Sequence, residues 1–477
     1  MTPNPGTEHE SLRAAVETLA RTAYGEGRGV TALTRLSGGA SRSTWQVDLT
    51  GGSPGLILQR QRAGGVPGQI GQHAEAAVLR AAAAAGVPVP RVIAASGDPV
   101  SGEAASGEAV SGEAVSPDVA ALGEFVLTER VPGESSPAEL LRAPGFQRAR
   151  ERFAAEAGTA LAALHAIDPG TVPELPARDP LAFYRDVLDD LGEPHPALEI
   201  GFAWLEAHRP PPAEPAVVHG DFRLGNLLLD GDRLRAVLDW ELAHVGDPAE
   251  DLGWLCVRSW RFGGPGRAGG VAAIEDVLAA YHAAGGSRAV TPEAVRWWEV
   301  FGNVKWGVIC VLQAHAHRSG AERSVELAAI GRRTATVERD LLDLLGVPAP
   351  PVPGGMTDGA SASCPPHDAP GAAELVSAVR EFLLGEVLTA VEGRTAYLTR
   401  VAANSLAIAA REITMGADLA AGHRRRLDAL GVADDRELAR RIRDGSLRGE
   451  KVATAVAEAV RDKLLVAAPR RVHGPTT

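Results

Sequence analysis

Residues 217–251 constrain the fold of this chain more than any other part of its sequence. They read VVHGDFRLGNLLLDGDRLRAVLDWELAHVGDPAED, in which short apolar runs alternate with clusters of turn-forming residues. This pattern predicts short strands joined by tight turns. Three polar residues, Asp221, Asn226 and Asp239, stand where the apolar runs begin or end. The segment therefore predicts a small group of oxygen ligands on strand ends.

A hairpin is predicted inside this segment. Residues 227–229 and 234–238 are apolar runs separated by the Asp-Gly-Asp turn at 230–232. Such a hairpin would bring Asn226 and Asp239 to the same end. A carboxylate and an amide oxygen that converge there suit Mg²⁺, a hard cation that takes oxygen ligands and keeps substrate phosphates in its shell.

Asp221 is expected a few residues away, where its carboxylate could accept the proton of a hydroxyl group. Asp221, Asn226 and Asp239 together are the groups that a phosphoryl-transfer site needs, because positioning and charge neutralisation do most of that chemistry. An ordinary hairpin is the alternative, since Asp, Asn and Gly are common in turns. Several matching groups in the right order favour the active site.

The spacing resembles the catalytic and metal-binding loops of the aminoglycoside phosphotransferase family, whose members are relatives of protein kinases. The matching residues are His219, Gly220, Asp221, Asn226, Asp239, Trp240, Glu241, Gly246, Asp247, Pro248 and Asp251. The resemblance implies an α+β, protein-kinase-like two-lobed fold, with a β-rich amino-terminal lobe and a helical carboxy-terminal lobe. It also implies that Asp221 is the catalytic base, that Asn226 and Asp239 hold Mg²⁺, and that ATP is the phosphoryl donor. Asp247 and Asp251 would brace the catalytic loop.

Composition agrees with a cytoplasmic enzyme. The net charge of −12 argues against a nucleic-acid partner. No apolar run is long enough to cross a membrane, and the first ten residues, MTPNPGTEHE, lack the pattern of a signal peptide. The 3 cysteines are scattered and odd in number, so neither a disulfide framework nor a zinc site is predicted.

The amino-terminal lobe is predicted over residues 1–130, with a helix at 9–26 followed by a strand, a Gly/Ser loop and a second strand. Backbone N–H groups of a glycine-containing loop can point at phosphates. The resemblance places the nucleotide phosphates under this loop, whose candidate residues are Ser37, Gly38, Gly39 and Ser41. A simple Gly-Gly hairpin turn is the alternative.

The strand at 56–60 should present the cation that pairs with the nucleotide phosphates. Only three lysines occur in the chain, and all lie further along: Lys305, Lys451 and Lys463. Arg60 is therefore the candidate, although strand alternation could place Gln59 at the inward position instead. By resemblance, Glu75 on the following helix would orient this cation. A solvated helix glutamate is the alternative.

The strand at 125–131 is predicted to run into the hinge between the lobes, where the backbone of Glu129 and Val131 would contact adenine by resemblance. Residues 97–117 form a low-complexity insertion that repeats Ser-Gly-Glu-Ala. The helical lobe is predicted over 131–345 and a Pro/Gly/Ser linker over 346–371.

A small all-α domain is predicted over 372–470, and it resembles an uncharacterised helical domain fused to some members of this phosphotransferase branch. Its helices are expected at 372–388, 393–413, 418–430, 434–445 and 451–467. Apolar residues such as Leu375, Val379 and Phe382 recur at helical spacing, which indicates helices. The domain could serve oligomerisation, regulation or binding of a protein partner.

The predicted function is that of a small-molecule kinase whose acceptor is a hydroxyl group. Residues 254–262 and 302–313 resemble the branch attached to acyl-CoA dehydrogenases, which implies hydroxylated acyl compounds or related metabolites rather than antibiotics. The alternative is a nucleotide-binding pseudokinase, which the missing lysine favours and the intact Asp221, Asn226 and Asp239 oppose. The choice between ATP and GTP stays open.

Overall fold

The computed structural model describes residues 5–25, 27–36, 42–52, 55–61, 68–98, 117–120, 122–352 and 370–473. Contacts divide the chain into two compact units. The first contains residues 1–178 and 211–298, and the second contains 179–210 and 299–477. The four-part division predicted from the sequence, with its boundaries at 130, 345 and 371, stays a prediction.

An antiparallel sheet of five strands dominates the amino-terminal part of the first unit, with the strand order β1-β2-β3-β5-β4. Its strands are β1 (Val30–Arg35), β2 (Arg42–Leu49), β3 (Leu56–Gln61), β4 (Val92–Ala95) and β5 (Phe125–Glu129). Four short strands follow later in the same unit: β6 (Ala216–Val218), β7 (Leu227–Leu229), β8 (Leu234–Val237) and β9 (His244–Gly246).

Helices make up most of the remainder, which confirms the predicted α+β class. Those before residue 352 are α1 (Pro5–Tyr24), α2 (Gln72–Ala84), α3 (Pro117–Ala120), α4 (Pro137–Arg142), α5 (Gln147–His165), α6 (Pro180–Leu191), α7 (Pro196–Ala207), α8 (Ala249–Cys256), α9 (Ile274–Ala283), α10 (Pro292–Ser319), α11 (Val325–Gly331) and α12 (Thr334–Leu344). Those after residue 370 are α13 (Ala372–Phe382), α14 (Leu388–Ala390), α15 (Gly393–Leu430), α16 (Asp435–Arg443), α17 (Glu450–Ala467) and α18 (Arg470–His473).

The core of the amino-terminal sheet forms because its strands alternate buried and less buried residues. On β3, Leu56 and Leu58 are fully buried, whereas Ile57 and Gln59 are only partly covered. One face of α1 packs on the same side of the sheet and contributes Leu12, Val16 and Leu19 to the cluster. The predicted helix at 9–26 is confirmed, with its bounds shifted towards the amino terminus.

The predicted hairpin at residues 227–238 is also confirmed. Strands β7 and β8 are antiparallel, and Leu227 lies opposite Val237. Beyond that pair, the N–H of Leu238 donates to the carbonyl of Asn226 at 2.8 Å, so the pairing continues up to the residue before Asp239. Asn226 and Asp239 therefore lie at the same end of the hairpin, as the turn predicts.

The second unit has its own apolar core, to which α7, α12, α15, α16 and α17 contribute. Its buried members include Ala197, Leu342, Leu427, Leu438, Val456, Val460 and Leu464. Inside it, the fully buried carboxylate of Glu338 contacts Lys463 Nζ and His195 Nδ1, each at 3.0 Å. Burial raises the pKa of Glu338, but Lys463 and His195 outweigh it and lower the pKa to about 2.

One expectation for the carboxy-terminal helices was wrong. The predicted helices 393–413 and 418–430 are one helix of 38 residues, α15, because Gly416 costs a helix only about 1 kcal/mol and tertiary packing overrides that cost. The apolar stripe of α13 does not face a core: Leu375, Val379 and Phe382 are 53%, 50% and 50% exposed. Helical periodicity identified the face but not its partner.

Cys256 and Cys310 are buried and free, while Cys364 lies outside the described part of the chain. Within the described ranges, no helix is long and apolar enough to cross a membrane.

The amino-terminal core provides a direct test of packing. We expect Leu58→Ala to lower the free energy of unfolding by about 2–5 kcal/mol, because it removes a fully buried side chain and leaves a cavity. Leu36→Ala is the matched control: Leu36 is 38% exposed, so its truncation should change stability by less than about 0.5 kcal/mol. Urea denaturation measures both. Equal losses for the two variants would contradict this assignment of the core.

Candidate active site

Asp221 lies at the centre of a buried polar cluster. Its carboxylate accepts hydrogen bonds from Arg223 Nε at 3.0 and 3.2 Å, from Asn226 Nδ2 at 2.6 Å and from the indole N–H of Trp254 at 2.7 Å. Asn226 Nδ2 also donates to the backbone carbonyl of Asp221 at 3.0 Å. These three donors fix the orientation of this carboxylate.

The Asp221 loop is braced by Asp251, as the family resemblance implies. The buried carboxylate of Asp251, on α8, accepts the backbone N–H groups of His219 at 2.8 Å and Gly220 at 2.9 Å. His165 Nε2 lies 3.1 Å from the same carboxylate. Burial raises the pKa of Asp251, but the hydrogen bond and the charge of His165 lower it more, so the net pKa falls below its ordinary value. His165 thus has a structural role in this brace.

The His219-Gly220 pair gives the loop its turn. Gly220 has φ of +76°, and a Cβ there would lie 2.4 Å from the carbonyl oxygen of Leu242, so only glycine fits. His219 Nδ1 accepts the N–H of Asp221 at 3.1 Å, which leaves Nε2 as the donor to the carbonyl of Leu238 at 3.0 Å. Burial lowers the pKa of His219, which agrees with this neutral form.

Asp239 carries the electrostatic signature of a cation site. Burial raises its pKa to about 8, and the neighbouring carboxylates of Glu241 and Asp221 contribute to the rise. Its backbone has φ of +65°, a left-handed conformation that is uncommon for residues other than glycine and recurs at functional sites. Because Asn226 uses its amide nitrogen on Asp221, its amide oxygen is the atom that can serve a cation.

Two protein oxygens fit Mg²⁺, which is usually bound by one or two side chains together with water and substrate phosphates. Among the described residues, no group of three or more His, Cys, Asp and Glu side chains is placed to hold a metal ion. The donor set here is a carboxylate and an amide, in a cluster with excess negative charge.

Glu75 pairs with a cation, but that cation is Arg42. The guanidinium of Arg42, at the start of β2, forms a buried ion pair with the Glu75 carboxylate of α2. Arg42 Nε also lies 3.3 Å from a carboxylate oxygen of Glu241, two residues after Asp239. Arg42 is only 3% exposed. Burial raises the pKa of Glu75, and Arg42 counteracts that rise.

The register of the sheet explains why Arg60 is elsewhere. Thr44 pairs with Gln59, and Ser43 pairs with Arg60, so Arg42 and Gln59 share one face of the sheet while Arg60 lies on the other. The Nε of Arg60 donates to the carbonyl of Leu122 at 2.8 Å. Gln59 thus lies on the face of Arg42, and which residue faces the nucleotide phosphates stays a prediction.

The other predicted nucleotide contacts lie partly outside the described residues. Ser37, Gly38, Gly39 and Ser41 fall there, so the phosphate-covering loop stays a prediction. At the hinge, the N–H of Glu129 donates to the carbonyl of Arg91 at 2.9 Å, and its carboxylate accepts Tyr24 Oη at 2.8 Å. Contact of Glu129 and Val131 with adenine also stays a prediction.

Sequence reasoning missed three residues of the cluster: Arg42, Arg223 and Trp254. Arg223 stacks on Trp260, with its guanidinium carbon 4.7 Å from the ring centroid. Trp254 and Trp260 lie in the segment 254–262, which the sequence linked only to a branch of the family. Arg261 donates from Nε and Nη2 to the carbonyl of Cys256, which agrees with a packed helix end.

A model of the "Phosphotransferase enzyme family" matches residues 32–298, more than half of the chain. The chain belongs to this family, which confirms the predicted recognition, its kinase-like fold and its class as a phosphotransferase. A domain of unknown function, DUF6285, matches residues 389–471. This second match confirms the appended uncharacterised helical domain.

Individual relatives match shorter regions. Acyl-CoA dehydrogenase family member 10 of Mus musculus is 44% identical over 64 residues, which cover 13% of this chain and 6% of that protein. Acyl-CoA dehydrogenase family member 11 of Gallus gallus is 42% identical over 62 residues, or 12% and 8% of the two chains. The match thus spans less than a tenth of either relative. Among solved structures, macrolide 2′-phosphotransferase MphH of Brachybacterium faecium is 22% identical, covers 67% of this chain and 97% of its own, and has a TM-score of 0.42.

The raised pKa of Asp239 predicts how stability depends on pH in a chelating buffer. An unfolded aspartate loses its proton near pH ~3.9, whereas folded Asp239 keeps it until about pH 8. Between these values the folded protein binds one proton more than the unfolded chain, so the free energy of unfolding falls as the pH rises. We expect Asp239→Asn to flatten this slope in urea denaturation series from pH 5 to 8. Parallel slopes for the variant and the wild type would contradict the assignment.

Proposed function

We propose that this protein is a Mg²⁺- and ATP-dependent kinase that phosphorylates a hydroxyl group of a small molecule. The observation that carries the proposal is the convergence of Asp221, Asn226 and Asp239. Asn226 is 2.6 Å from the Asp221 carboxylate, and the charge of Asp221 acts on Asp239. Family membership sets the reaction class, and this cluster supplies residues for each role.

Asp221 is the proposed base. In the transfer, the acceptor hydroxyl oxygen forms a bond to the γ-phosphorus, the bond from that phosphorus to the β,γ-bridging oxygen breaks, and ADP leaves. The hydroxyl proton passes to a carboxylate oxygen of Asp221. Positioning can lower the barrier by roughly 7–11 kcal/mol, and general-base assistance contributes about 10²–10⁴-fold.

Arg223, Asn226 and Trp254 would keep the Asp221 carboxylate aimed at the acceptor, because each donates to a defined oxygen. Mg²⁺ held by Asn226 and Asp239 would neutralise charge on the phosphates and orient them for in-line transfer. Binding of the cation would also offset the burial of Asp239 and the repulsion from Glu241 and Asp221, which together raise the pKa of Asp239.

The acceptor class follows from similarity alone. Relatives named as acyl-CoA dehydrogenase family members match this chain at above 40% identity over short segments. We therefore infer a hydroxylated acyl compound or a related metabolite as the acceptor, ahead of an amino sugar or an aminoglycoside. The rival function, a nucleotide-binding pseudokinase, would bind ATP without transferring its phosphate.

The assay is Mg²⁺-dependent release of ADP from ATP with three acceptor classes: hydroxyacyl compounds, amino sugars and aminoglycosides. We expect turnover with hydroxyacyl acceptors and a fall of about 10²–10⁴-fold in kcat for Asp221→Asn. Nucleotide affinity should be retained in this variant, because the substitution keeps the shape of the side chain.

Asp232→Ala is the matched control, since Asp232 lies in the exposed turn of the same hairpin and its side chain is 65% exposed. Its kcat should equal that of the wild type. Turnover that survives in Asp221→Asn would refute the role of Asp221. ATP binding without transfer to any acceptor would support the pseudokinase instead.

A further inference from the structure

We propose that Arg42, on β2, supplies the cation that binds the nucleotide phosphates, in place of any residue of β3. This inference rests on the proposed function, because it assigns a further residue of the same nucleotide site. It differs from the expectation drawn from the sequence, in which the strand at 56–60 provides that cation. Two observations carry it: the placement of Arg42 and an unused donor on its guanidinium.

The placement follows from the strand register. In the antiparallel β2–β3 pair, Arg42 lies opposite Gln61, and Thr44 lies opposite Gln59. Opposite residues share a face, so Arg42 is a diagonal neighbour of Gln59 on that face. Gln72 of α2 lies 3.5 Å from Gln61. The face of the sheet that Arg42 and Gln59 share is therefore the one that α2 covers. A cation from β2 therefore stands beside the position where β3 carries an uncharged glutamine.

The partners of Arg42 tie it to both elements of the proposed site. One guanidinium nitrogen, Nη1, pairs with Glu75 of α2, and Nε lies 3.3 Å from Glu241. Glu241 follows Asp239, the proposed metal ligand, by two residues. These contacts hold Arg42 next to the segment 239–241, whose Asp239 is the proposed Mg²⁺ ligand.

Within the described part of the chain, two guanidinium nitrogens make no hydrogen bond: Nε, which lies within ion-pair distance of Glu241, and Nη2. Arg42 Nη2 is buried and has no hydrogen-bond partner among the residues that the structure describes. A buried donor without a partner costs free energy, more so when it is charged. An anionic oxygen placed there would satisfy it, and Arg presents a planar fork that matches phosphate geometry. The phosphate chain of the nucleotide is the ligand of this chemistry that the proposed function supplies.

The test compares affinities for a non-hydrolysable ATP analogue with Mg²⁺ and for adenosine, by titration calorimetry. Arg42→Gln should weaken binding of the analogue about ten- to hundredfold, the range for loss of a charge-assisted hydrogen bond, and leave adenosine affinity unchanged. Arg80→Gln is the matched control. Arg80 lies on α2, is 46% exposed and pairs with Asp98, so its substitution should alter neither affinity.

Returning the cation to β3 provides a second arm. The double variant Arg42→Gln/Gln59→Arg should recover most of the affinity for the ATP analogue, because it moves one charge to the diagonal neighbour on the same face. Arg42→Gln leaves Glu75 buried without its partner, so the substitution is also made on a Glu75→Gln background. On that background, the difference in affinity for the ATP analogue between Glu75→Gln and Glu75→Gln/Arg42→Gln measures the contribution of Arg42.

The outcomes separate the two levels of the proposal. Wild-type protein that binds no ATP analogue would overturn the proposed function, and this inference with it. Wild-type binding that Arg42→Gln leaves intact, or that Arg60→Gln weakens instead, would overturn this inference alone. Equal loss of analogue and adenosine binding in Arg42→Gln would also overturn it, since Arg42 would then only hold the lobe together.

Discussion

The site depends on one interaction above all: the Asp251 carboxylate accepts hydrogen bonds from two consecutive backbone N–H groups. One oxygen accepts from His219 and the other from Gly220, while His165 supports the carboxylate from the other side. Gly220 turns with a positive φ against the carbonyl of Leu242, and this turn sets the direction in which the backbone enters Asp221. Asp221 is thereby delivered to Arg223, Asn226 and Trp254. A buried charge in α8 thus determines where the proposed base points.

The second constraint is an excess of negative charge. Asp221, Asp239, Glu241 and Glu75 carry acidic groups in one region, and Arg42 is the cation that contacts two of them. Burial and this repulsion together raise the pKa of Asp239, and its backbone has a positive φ. Local costs of this kind persist where function requires them. A divalent cation would relieve the repulsion, and a nucleotide phosphate would accept a hydrogen bond from the unpaired donor of Arg42.

The sequence predicted the features that depend on short spacings. Asn226 and Asp239 flank the two strands that a tight turn joins, which predicts a hairpin, and Asp221 precedes them. The structure contains this hairpin, with Asn226 and Asp239 at the same end. The individual strands of the amino-terminal lobe and the helical remainder follow from period-2 and period-3.6 patterns in the same way. Family membership over residues 32–298 agrees with the motif.

The features that sequence reasoning missed depend on pairings between distant segments. Arg42 and Glu75 are 33 positions apart, and no local pattern shows that β2 rather than β3 supplies the partner of Glu75. The missing lysine was the available signal, but the strand register was needed to choose among the arginines. For α13, periodicity located Leu375, Val379 and Phe382 on one face without showing whether anything covers it. The local sequence indicates on which face of a helix or strand a residue lies, but it does not indicate which distant residue contacts it.

The most direct test of the account is anomalous diffraction from Mn²⁺ in crystals grown with a non-hydrolysable ATP analogue, with Mn²⁺ in place of Mg²⁺. The account predicts one Mn²⁺ peak within coordination distance of Asn226 and Asp239, bridged to nucleotide phosphates that contact Arg42. Asp221 should line the path to the γ-phosphate. A metal bound away from Asn226 and Asp239, or phosphates that contact Arg60 instead of Arg42, would contradict it.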